Sequence, residues 1–489
     1  MSTTTTFGNY IGCEWRPAQS GATFESRSPA DTNDLLGVFS SSQPEDVDAA
    51  ITAAAEAAAG WRNTSAMTRA NLLHKAAEIL GRQVNEVGRE LAREEGKTLK
   101  EGIGETSRAM QILRYYAGEA QQPDGEHYPS ANPKTLLYSV REPIGVVGII
   151  TPWNFPIAIP AWKIAPAIAF GNTVVFKPAS YTPLLAIRFI EALAEAGLPP
   201  GVVNLVTGSA SKVGDPLVND PRVKALSFTG SEEVGRGIAQ IAAGRGTKVQ
   251  LEMGGKNPAI VLADADLDHA LNHVVSGAMW STGQKCTATS RAIVDASIAE
   301  SFTKRLAARI DSLTVGDPLS DSTQVGPLIS GEAVDRVLGD VKSAEQDGAT
   351  LLAGGGRLSS DNRERGFYMA PTLFGNVDPN SRLGQDELFG PVLGVITAND
   401  LDQAIELANS VKYGLSASIF TRDLGNALTF AQGIQAGIVH INSETPGAEP
   451  QVPFGGYKSS SSYSREQGKS ARDFYTQVKT VYIDLPSPG

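Results

Sequence analysis

The chain contains two cysteines, and Cys286 is the one whose surroundings favour nucleophilic chemistry. It lies in the segment Ser281-Thr-Gly-Gln-Lys-Cys-Thr-Ala288, where a glycine-containing loop places it next to Lys285. A neighbouring cation favours the thiolate, which is the nucleophilic form of cysteine. A buried, unreactive cysteine is the alternative, and from Cys286 alone it is the more common outcome.

Two other residues carry groups that could act together with such a nucleophile. Glu252 ends a strand-like run, and the two glycines of Met253-Gly-Gly255 allow another group to approach closely, so its carboxylate could serve as a general base. Asn154 follows an apolar strand and could donate its side-chain amide to an oxyanion. Taken singly, Glu252 is more often a structural acid, and Asn154 is as often a turn residue between prolines.

These residues would be positioned by a series of short apolar strands, each followed by a turn and then by a helical pattern. The strands are predicted at 146–150, 173–176, 202–206 and 223–228. Strands that alternate with helices at this spacing indicate a parallel sheet with right-handed crossovers, and ligands bind at the carboxyl ends of its strands. Those ends carry Thr151-Pro-Trp-Asn-Phe-Pro156, Lys177-Pro-Ala-Ser180, Thr207-Gly208 and Thr229-Gly-Ser231.

The rest of the chain supplies the elements around this sheet. Residues 44–120 show helical periodicity, and a second α/β series begins at residue 259 and meets the first series at Cys286. The polar run 459–464 is predicted as a flexible loop, and Cys13 is predicted in an N-terminal strand. The fold class is therefore α/β. It has a doubly wound cofactor-binding domain (1–128 and 147–253), a second α/β catalytic domain (254–447), and a small β oligomerisation arm (129–146 and 465–489).

The predicted arm contains a short strand at 136–140 and an alternating segment at 476–483 that is typical of an edge strand. An exposed strand edge can pair with another chain. We therefore expect a homodimer or a homotetramer.

Composition excludes several other classes of function. The formal net charge of −11 repels nucleic acid, and no run of Lys or Arg is long enough to reverse it locally. The longest apolar stretches, such as 145–150 and 165–170, are far shorter than the roughly 20 residues that span a bilayer. Residues 1–7 have neither a basic start nor an apolar core, which predicts a cytoplasmic protein. Two cysteines cannot form a disulfide framework, and we predict no metal site.

Together the motifs resemble those of the aldehyde dehydrogenase superfamily, over nearly the whole chain and in the right order. A single motif of this kind is weak evidence, but seven in order leave little room for chance. They are Pro152-Trp-Asn-Phe-Pro156, Lys177-Pro-Ala179, Phe228-Thr-Gly-Ser231, Leu251-Glu-Met-Gly-Gly-Lys-Asn-Pro258, Gly283-Gln-Lys-Cys286, Glu387-Leu-Phe-Gly-Pro391 and Pro453-Phe-Gly-Gly456.

The resemblance implies a mechanism in which the Cys286 thiolate adds to the aldehyde carbon. The Asn154 amide and the backbone N–H of Cys286 hold the oxyanion, and hydride passes to a nicotinamide. Water activated by Glu252 then hydrolyses the thioester. Members that transfer the acyl group to coenzyme A usually lack this glutamate, so Glu252 favours hydrolysis. A non-catalytic structural relative is the alternative from another class, and the joint presence of these residues argues against it.

The resemblance also implies a cofactor site for NADP or NAD, although no Gly-x-Gly-x-x-Gly fingerprint follows any of these strands. Lys177 is expected at the ribose hydroxyls and Glu387 at the nicotinamide ribose. NAD-preferring members often carry a glutamate where this chain has Ser180, so NADP should be tolerated and dual use is expected. The remaining predicted cofactor residues are Thr151, Trp153, Gly208, Gly230, Ser231 and Phe389, and each glycine taken singly could be an ordinary turn.

The segments Gly283–Arg291 and Ser459–Gly468 resemble those of bacterial α-ketoglutaric semialdehyde dehydrogenases. Lys285 and Arg114 are candidates to bind a distal carboxylate, although Lys285 could only tune Cys286 and Arg114 could form a surface ion pair. Succinic semialdehyde is disfavoured, because Trp162 stands near the position where an arginine is expected. If neither cation faces the tunnel, the aromatic set would suit an apolar or aromatic aldehyde. That set is Trp153, Phe155, Trp162 and Phe454.

Overall fold

The computed structural model describes residues 5–360 and 363–485. Residues 1–4, part of the segment 1–7 considered for a targeting signal, lie outside the described residues, as do residues 486–489 at the end of the predicted arm. The strands are β1 (Thr6–Phe7), β2 (Asn9–Ile11), β3 (Glu14–Arg16), β4 (Thr23–Arg27), β5 (Leu35–Ser40), β6 (His127–Tyr128), β7 (Thr135–Pro143), β8 (Val146–Ile150), β9 (Thr173–Lys177), β10 (Val203–Leu205), β11 (Val223–Thr229), β12 (Lys248–Glu252), β13 (Asn257–Val261), β14 (Thr289–Asp295), β15 (Thr350–Ala353), β16 (Thr372–Gly375), β17 (Val392–Ala398), β18 (Tyr413–Gly414), β19 (Ser416–Phe420), β20 (Ile438–Ile441), β21 (Tyr457–Lys458) and β22 (Thr476–Asp484).

The helices separate most of these strands, as the alternation in the sequence indicates. They are α1 (Pro44–Arg62), α2 (Ala66–Arg82), α3 (Val84–Glu95), α4 (Leu99–Glu119), α5 (Ala158–Ala169), α6 (Pro183–Glu195), α7 (Asp215–Asn219), α8 (Glu232–Arg245), α9 (Leu267–Met279), α10 (Ala299–Asp311), α11 (Gly331–Gln346), α12 (Arg382–Gln385), α13 (Leu401–Asn409), α14 (Leu424–Gly433) and α15 (Ser470–Tyr475). The prediction of helical structure across 44–120 is confirmed by α1 to α4.

The first large sheet has the strand order β12-β11-β8-β9-β10-β2-β3. The strands from β12 to β10 are parallel, as predicted for the four strands recognised in the sequence, whereas β2 and β3 join as an antiparallel N-terminal hairpin. Because parallel strands end at one edge, this arrangement brings the segments after β8, β9, β10 and β11 together. In β12, Glu252 pairs in register with Thr229, the last residue of β11.

The second large sheet has the order β15-β16-β17-β14-β13-β19-β20 and is parallel except at β15. The segment that carries Cys286 runs from the end of α9 into β14, so the reactive cysteine is presented at the start of a central strand. The doubly wound first sheet and the second α/β sheet agree with the predicted fold class. The core is apolar, with Val, Ile, Leu and Ala side chains on both faces of each sheet.

A third sheet has the order β22-β7-β6 and is antiparallel. It confirms the predicted strand in 136–140, which extends over Thr135–Pro143, and the predicted edge strand near residue 476. Strand β6 at His127–Tyr128 also belongs to this sheet, so the sheet begins slightly before the predicted arm.

Two local predictions are wrong. Cys13 lies in the turn between β2 and β3 with a φ of 69°, because Gly12 and Cys13 together reverse the chain. The run 459–464 is not a loose loop throughout, since it packs along β12. The Met253 N–H donates to the Ser460 carbonyl over 2.7 Å, and the Ser462 N–H donates to Leu251 over 3.0 Å. Among the described residues, no helix combines the length and the apolar character needed to cross a bilayer.

Candidate active site

A cavity of about 310 Å³ opens onto Cys286. Its walls include helix α4, the start of α5, the loop from Ser281 to Thr287 and the segments around Glu444 and Phe454. Three aromatic side chains predicted for the substrate tunnel, Phe155, Trp162 and Phe454, line it together with Lys285. The rings of Trp162 and Phe454 lie 5.4 Å apart and form one apolar wall.

The loop before Cys286 has an unusual backbone conformation. Ser281, Thr282 and Gly283 are all left-handed, with φ values of 53°, 54° and 65°. The backbone N–H and the hydroxyl of Ser281 both donate to Glu101 of α4, over 2.7 and 2.9 Å. A Cβ at Gly283 would lie 2.2 Å from the carbonyl oxygen of Gly390, so only glycine fits. The loop is therefore held between α4 and the Glu387–Pro391 motif.

Gly254 and Gly255, which follow Glu252 and Met253, allow the close approach of other groups that the sequence predicts. A Cβ at Gly255 would lie 2.4 Å from the carbonyl oxygen of Cys286, and one at Gly254 would lie 2.2 Å from a carboxylate oxygen of Glu387. The Asn257 side chain donates to that same Cys286 carbonyl over 2.8 Å. These contacts fix the peptide that follows the thiol.

The electrostatic surroundings of Cys286 differ from those expected from its neighbour Lys285. Burial raises the pKa of the Cys286 thiol above its usual range, and the negative charges of Glu387 and Glu252 raise it further. The backbone N–H groups of Cys286 and Thr287 lower this pKa only partly. The prediction that Lys285 favours the thiolate is therefore outweighed, and the thiol resists ionisation in the free protein.

Asn154 lies after β8 and is buried beside the Cys286 loop. Its side-chain amide donates to the Gln284 carbonyl over 3.0 Å, and its own carbonyl accepts a hydrogen bond from the Lys97 ammonium. Lys97 is paired with Glu105 of α4 at 2.7 Å, and both side chains are almost fully buried. Glu105 also accepts the N–H groups of Ile157, the residue before α5, and of Ala158, the first residue of that helix.

Sequence reasoning missed Lys97 and Glu105. Their signal in the sequence is a mixed-charge stretch in which Lys97 lies between the acidic pair at the end of α3 and the charged first turns of α4. Such a lysine is easily read as part of a solvated charged surface, and its burial becomes visible only once α4 has packed on α5.

Glu252, at the end of β12, is bridged to the run 459–464. One carboxylate oxygen accepts a hydrogen bond from the Ser461 hydroxyl over 2.5 Å, and the other is buried without a partner among the described residues. Burial raises the pKa of Glu252 well above its usual range, and the nearby Glu466 raises it further. Glu466 is itself paired with the fully buried Lys163. A carboxylate in this setting is a stronger base than one in water.

The carboxyl ends of β9, β10 and β11 carry a second group of predicted residues. The Lys177 ammonium donates to the Pro178 carbonyl over 2.8 Å, and burial lowers the pKa of Lys177 to about 8. The Ser180 hydroxyl donates to the Gly208 carbonyl over 3.0 Å. Ser231 caps α8, and the preceding Gly230 donates its N–H to the Glu252 carbonyl over 3.0 Å.

The second sheet presents Glu387 and Phe389 to the same region. One oxygen of Glu387 accepts the Gly255 N–H over 3.0 Å, and burial raises the pKa of Glu387 to about 7. The rings of Phe389 and Trp153 meet edge to face at 5.5 Å, while the Thr151 N–H donates to the Lys177 carbonyl over 3.2 Å. Of the residues predicted for the cofactor, Gly230 contacts Glu252, and Glu387 contacts Gly255 in the segment that packs on the Cys286 carbonyl.

The structure does not place Arg114 at the Cys286 cavity. Arg114 is exposed and lines a neighbouring depression with Tyr115 and Gln451. The arginine of α4 that does line the cavity is Arg108. Arg114 lies six residues further along the helix, a displacement of roughly 9 Å at 1.5 Å per residue, and so passes beyond the cavity. Two other lining residues, Thr229 and Gln467, were not predicted.

Known proteins share the sequence and the fold of this chain. The model of the aldehyde dehydrogenase family matches residues 15–481. The chain belongs to the aldehyde dehydrogenase family. The sequence resemblance, the α/β fold class and the assignment as an enzyme are thereby confirmed, and the protein is an NAD(P)-dependent aldehyde dehydrogenase.

Two relatives and one solved structure show the extent of the similarity. The chain is 48% identical over 478 residues to the α-ketoglutaric semialdehyde dehydrogenase of Bacillus subtilis, with 98% of each chain covered. It is 44% identical over 475 residues to the α-ketoglutarate semialdehyde dehydrogenase of Haloferax volcanii, with 97% of this chain and 98% of the relative covered. The crystal structure of an NAD-dependent aldehyde dehydrogenase from Sinorhizobium meliloti matches with a TM-score of 0.96 at 37% identity, covering 99% of this chain and 96% of that one.

Proposed function

We propose that this enzyme oxidises α-ketoglutaric semialdehyde, an aldehyde with a distal carboxylate, through a thioester on Cys286. The observation that carries the proposal is the buried cation of Lys285 in the cavity beside the nucleophile. The names of the two relatives point to the same substrate. Both the charge of the cavity and the similarity of the chain thus favour a carboxylated semialdehyde.

Lys285 is suited to bind a carboxylate because no hydrogen bond or ion pair of its ammonium is found among the described residues. The residue is 8% exposed. Burial lowers the pKa of Lys285, whereas the charges of Glu101 and Glu444 raise it. The oxygens of Glu101 are already occupied by Thr98 and Ser281. A substrate carboxylate would offset the cost of burying this charge.

Arg108 provides a second positive charge in the same cavity. Arg108, and not Arg114, is therefore the arginine that we propose for binding the substrate. Because Arg108 is only partly buried, we assign it to the outer part of the cavity, where it attracts the anionic end of the substrate.

The acylation step uses Cys286 and Asn154. The thiol gives its proton to solvent water, and the resulting thiolate adds to the aldehyde carbon as the C=O π electrons move to the oxygen, which becomes an oxyanion. The Asn154 amide and the Cys286 N–H stabilise that oxyanion. A bound nicotinamide would supply the acceptor for the hydride of the tetrahedral carbon, while Cys286 retains the acyl group. A thioester on Cys286 remains.

The deacylation step uses Glu252. Its carboxylate removes a proton from water, the resulting hydroxide adds to the thioester carbon, and the Cys286 sulfur leaves as the acid forms. The raised pKa of Glu252 makes it a more effective base for this step. The same residue favours hydrolysis over transfer of the acyl group to a second thiol.

The residues around the cofactor region fit NAD or NADP. Among the described residues, the Lys177 ammonium donates to the Pro178 carbonyl alone, and its remaining N–H groups can reach ribose hydroxyls. Gly254 lets the Glu387 carboxylate approach closely, because a Cβ there would lie 2.2 Å from one of its oxygens. Trp153 and Phe389 supply apolar surface at the same end of the site. Ser180 carries no charge that would repel a 2′-phosphate, so we propose that both cofactors are used.

A second candidate substrate class is the uncharged apolar or aromatic aldehyde. The observation in its favour is the aromatic wall of Trp162 and Phe454, which suits a hydrocarbon chain or ring. Succinic semialdehyde, one carbon shorter, is the third alternative.

These alternatives are separated by the reduced cofactor formed with each aldehyde. Purified enzyme should be compared on α-ketoglutaric semialdehyde, succinic semialdehyde, hexanal and benzaldehyde, each with NAD and with NADP. The proposal predicts the highest kcat/KM on α-ketoglutaric semialdehyde. A higher value on hexanal or benzaldehyde would overturn the substrate assignment and leave the family unchanged.

We also propose that the enzyme assembles as a homodimer or homotetramer through the β22-β7-β6 sheet. Strand β22 is an edge strand, and it exposes the large apolar side chains of Val478, Tyr482 and Ile483. An unpaired edge that also exposes apolar side chains is suited to pairing with a second copy of the chain.

A further inference from the structure

Gln467 is a buried polar residue that neither the fold nor the mechanism above explains. It is 1% exposed and lines the same cavity as Cys286. Neither its amide nitrogen nor its amide oxygen has a hydrogen-bond partner among the described residues. Buried amides are almost always satisfied, so an unsatisfied one at a substrate cavity points to a ligand group that completes it.

The backbone holds Gln467 in place against its conformational preference. Its φ is 58°, in the left-handed region that a long side chain adopts only when the surroundings require it. On one side, Glu466 and Phe454 exchange backbone hydrogen bonds of 2.7 and 2.8 Å. On the other side, the Gly468 N–H donates to Pro450 over 2.9 Å. The segment is therefore fixed on both sides of the strained residue.

A second unsatisfied donor lines the same cavity. The indole nitrogen of Trp162 is buried, and it has no partner within residues 5–360 and 363–485. Its ring packs against Phe454, the residue whose backbone is bridged to the neighbour of Gln467. Two uncharged donors, the Gln467 amide and the Trp162 indole, thus belong to residues that line one cavity and flank Phe454.

The chemistry of these donors defines what they would bind. An indole N–H can only donate, so the ligand atom must be an acceptor. Both donors are uncharged, whereas the cation of Lys285 is available for the carboxylate. A neutral carbonyl oxygen next to the carboxylate fits this pair, and such an oxygen is present in a 2-oxo acid.

We infer that the Gln467 amide and the Trp162 indole bind the 2-oxo oxygen of the substrate, and that they make the enzyme selective for 2-oxo semialdehydes. This inference rests on the proposed function, because it assumes a carboxylated semialdehyde in the cavity. It adds a specificity-determining contact that distinguishes substrates of equal length and charge. Sites that hydrogen-bond a substrate group discriminate strongly against analogues that lack it.

The test compares α-ketoglutaric semialdehyde with glutaric semialdehyde, which has the same length and carboxylate but no 2-oxo group. The measured quantity is the ratio of their kcat/KM values. In the wild-type enzyme we expect a ratio of roughly 10 to 100 in favour of the 2-oxo substrate. Gln467→Leu should bring the ratio close to 1, and Trp162→Phe, which keeps an aromatic ring, should lower it in part.

Gln250→Leu is the matched control. Gln250 is also a 1% exposed glutamine whose amide nitrogen lacks a partner, but it does not line the cavity. Its substitution removes a buried amide and should leave the substrate ratio unchanged. A ratio that falls equally in Gln250→Leu and Gln467→Leu would overturn the inference.

The wild-type ratio keeps the inference testable if Gln467→Leu does not fold. A wild-type ratio near 1 overturns the inference while both carboxylated substrates are still preferred over hexanal, in which case the proposed function stands. If hexanal is preferred over both, the proposed function fails and the inference fails with it.

Discussion

At the scale of single residues, burial and the neighbouring carboxylates together decide how the Cys286 thiol ionises. Burial raises its pKa, and the carboxylates of Glu387 and Glu252 add to that effect. Because the thiolate is the nucleophile, its fraction and the rate of acylation should increase as the pH rises toward this raised pKa. The free enzyme should therefore lose activity on acidification.

Removing one of these carboxylates should lower the thiol pKa. In Glu252→Gln the side chain keeps its shape and loses its negative charge, so Cys286 should be alkylated by iodoacetamide at a lower pH than in the wild type. The measurement is the pH dependence of the alkylation rate, with Cys286→Ala used to subtract labelling of Cys13. An unchanged profile, or one moved to higher pH, would contradict this electrostatic description.

The role of Lys285 can be tested through its dependence on substrate charge. Lys285→Met removes the cation and retains most of the volume, so KM for α-ketoglutaric semialdehyde should increase by roughly 10- to 100-fold. KM for hexanal should change little, since hexanal has no carboxylate.

Arg114→Met serves as the control for that experiment. Arg114 is exposed and lies outside the cavity, so its substitution should alter neither KM. Equal increases in both KM values for Lys285→Met would show that Lys285 acts on Cys286 and not on the substrate.

The sequence was sufficient to propose Cys286, Glu252 and Asn154, because each lies in a short motif with a distinctive local composition. It led to Arg114 as a candidate for the carboxylate, whereas Arg108 lines the cavity. Which arginine does so depends on where α4 crosses the cavity. Gln467 lies in the segment Ser459–Gly468 that carries the substrate resemblance, but nothing in the sequence singled it out from its neighbours. Its strain and its unsatisfied amide exist only in the folded chain.

At the scale of secondary-structure elements, α4 organises the active site from one side. Glu101 holds the Cys286 loop, and Glu105 caps α5 and pairs with Lys97, which binds the Asn154 carbonyl. These contacts orient the peptide whose side chain is proposed to stabilise the oxyanion. Lys97 and Glu105 are therefore positioning residues.

Lys97→Met should impair both stability and turnover. Breaking a buried ion pair from one side leaves an unpaired charge and costs about 3–5 kcal/mol. Loss of the contact to Asn154 should lower kcat by roughly 10- to 100-fold with little change in KM. Thermal unfolding and steady-state kinetics measure the two effects.

The double variant Lys97→Met/Glu105→Gln separates these effects. It removes the unpaired charge and should recover much of the Tm, whereas kcat should stay low because the Asn154 carbonyl is still unanchored. Recovery of kcat along with Tm would mean that Lys97 has only a structural role.

The alternation of strands and helices predicted the parallel sheet correctly, because buried parallel strands are short, apolar and bounded by turns. The run 459–464 was misjudged, since a polar, serine-rich composition is typical of loops. Here the serines hydrogen-bond to β12 and to Glu252. A serine-rich segment can therefore line a buried polar site as well as form a solvated loop.

At the scale of the whole molecule, the two large sheets bring the proposed cofactor and catalytic residues together, and the third sheet offers a route to assembly. Negative charges placed on its edge strand should disrupt that assembly, because the like charges of two paired copies would repel each other. Val478→Asp/Tyr482→Asp places two carboxylates on the exposed face of β22 and should yield a smaller species by light scattering coupled to size-exclusion chromatography.

A matched double substitution on another exposed apolar pair controls for the added charge. Leu424 and Leu428 are exposed on α14, far in sequence from the arm, and Leu424→Asp/Leu428→Asp should leave the molecular mass unchanged. An unchanged mass in the β22 variant would contradict assembly through this sheet.

The central claim is that oxidation proceeds through a thioester on Cys286 that Glu252 helps to hydrolyse. The most direct test is mass spectrometry of Glu252→Gln after mixing with α-ketoglutaric semialdehyde and oxidised cofactor. The account predicts one equivalent of reduced cofactor per active site, followed by very slow turnover, and an acyl group on the peptide that contains Cys286. Turnover at the wild-type rate, or a burst with no modification of that peptide, would contradict it.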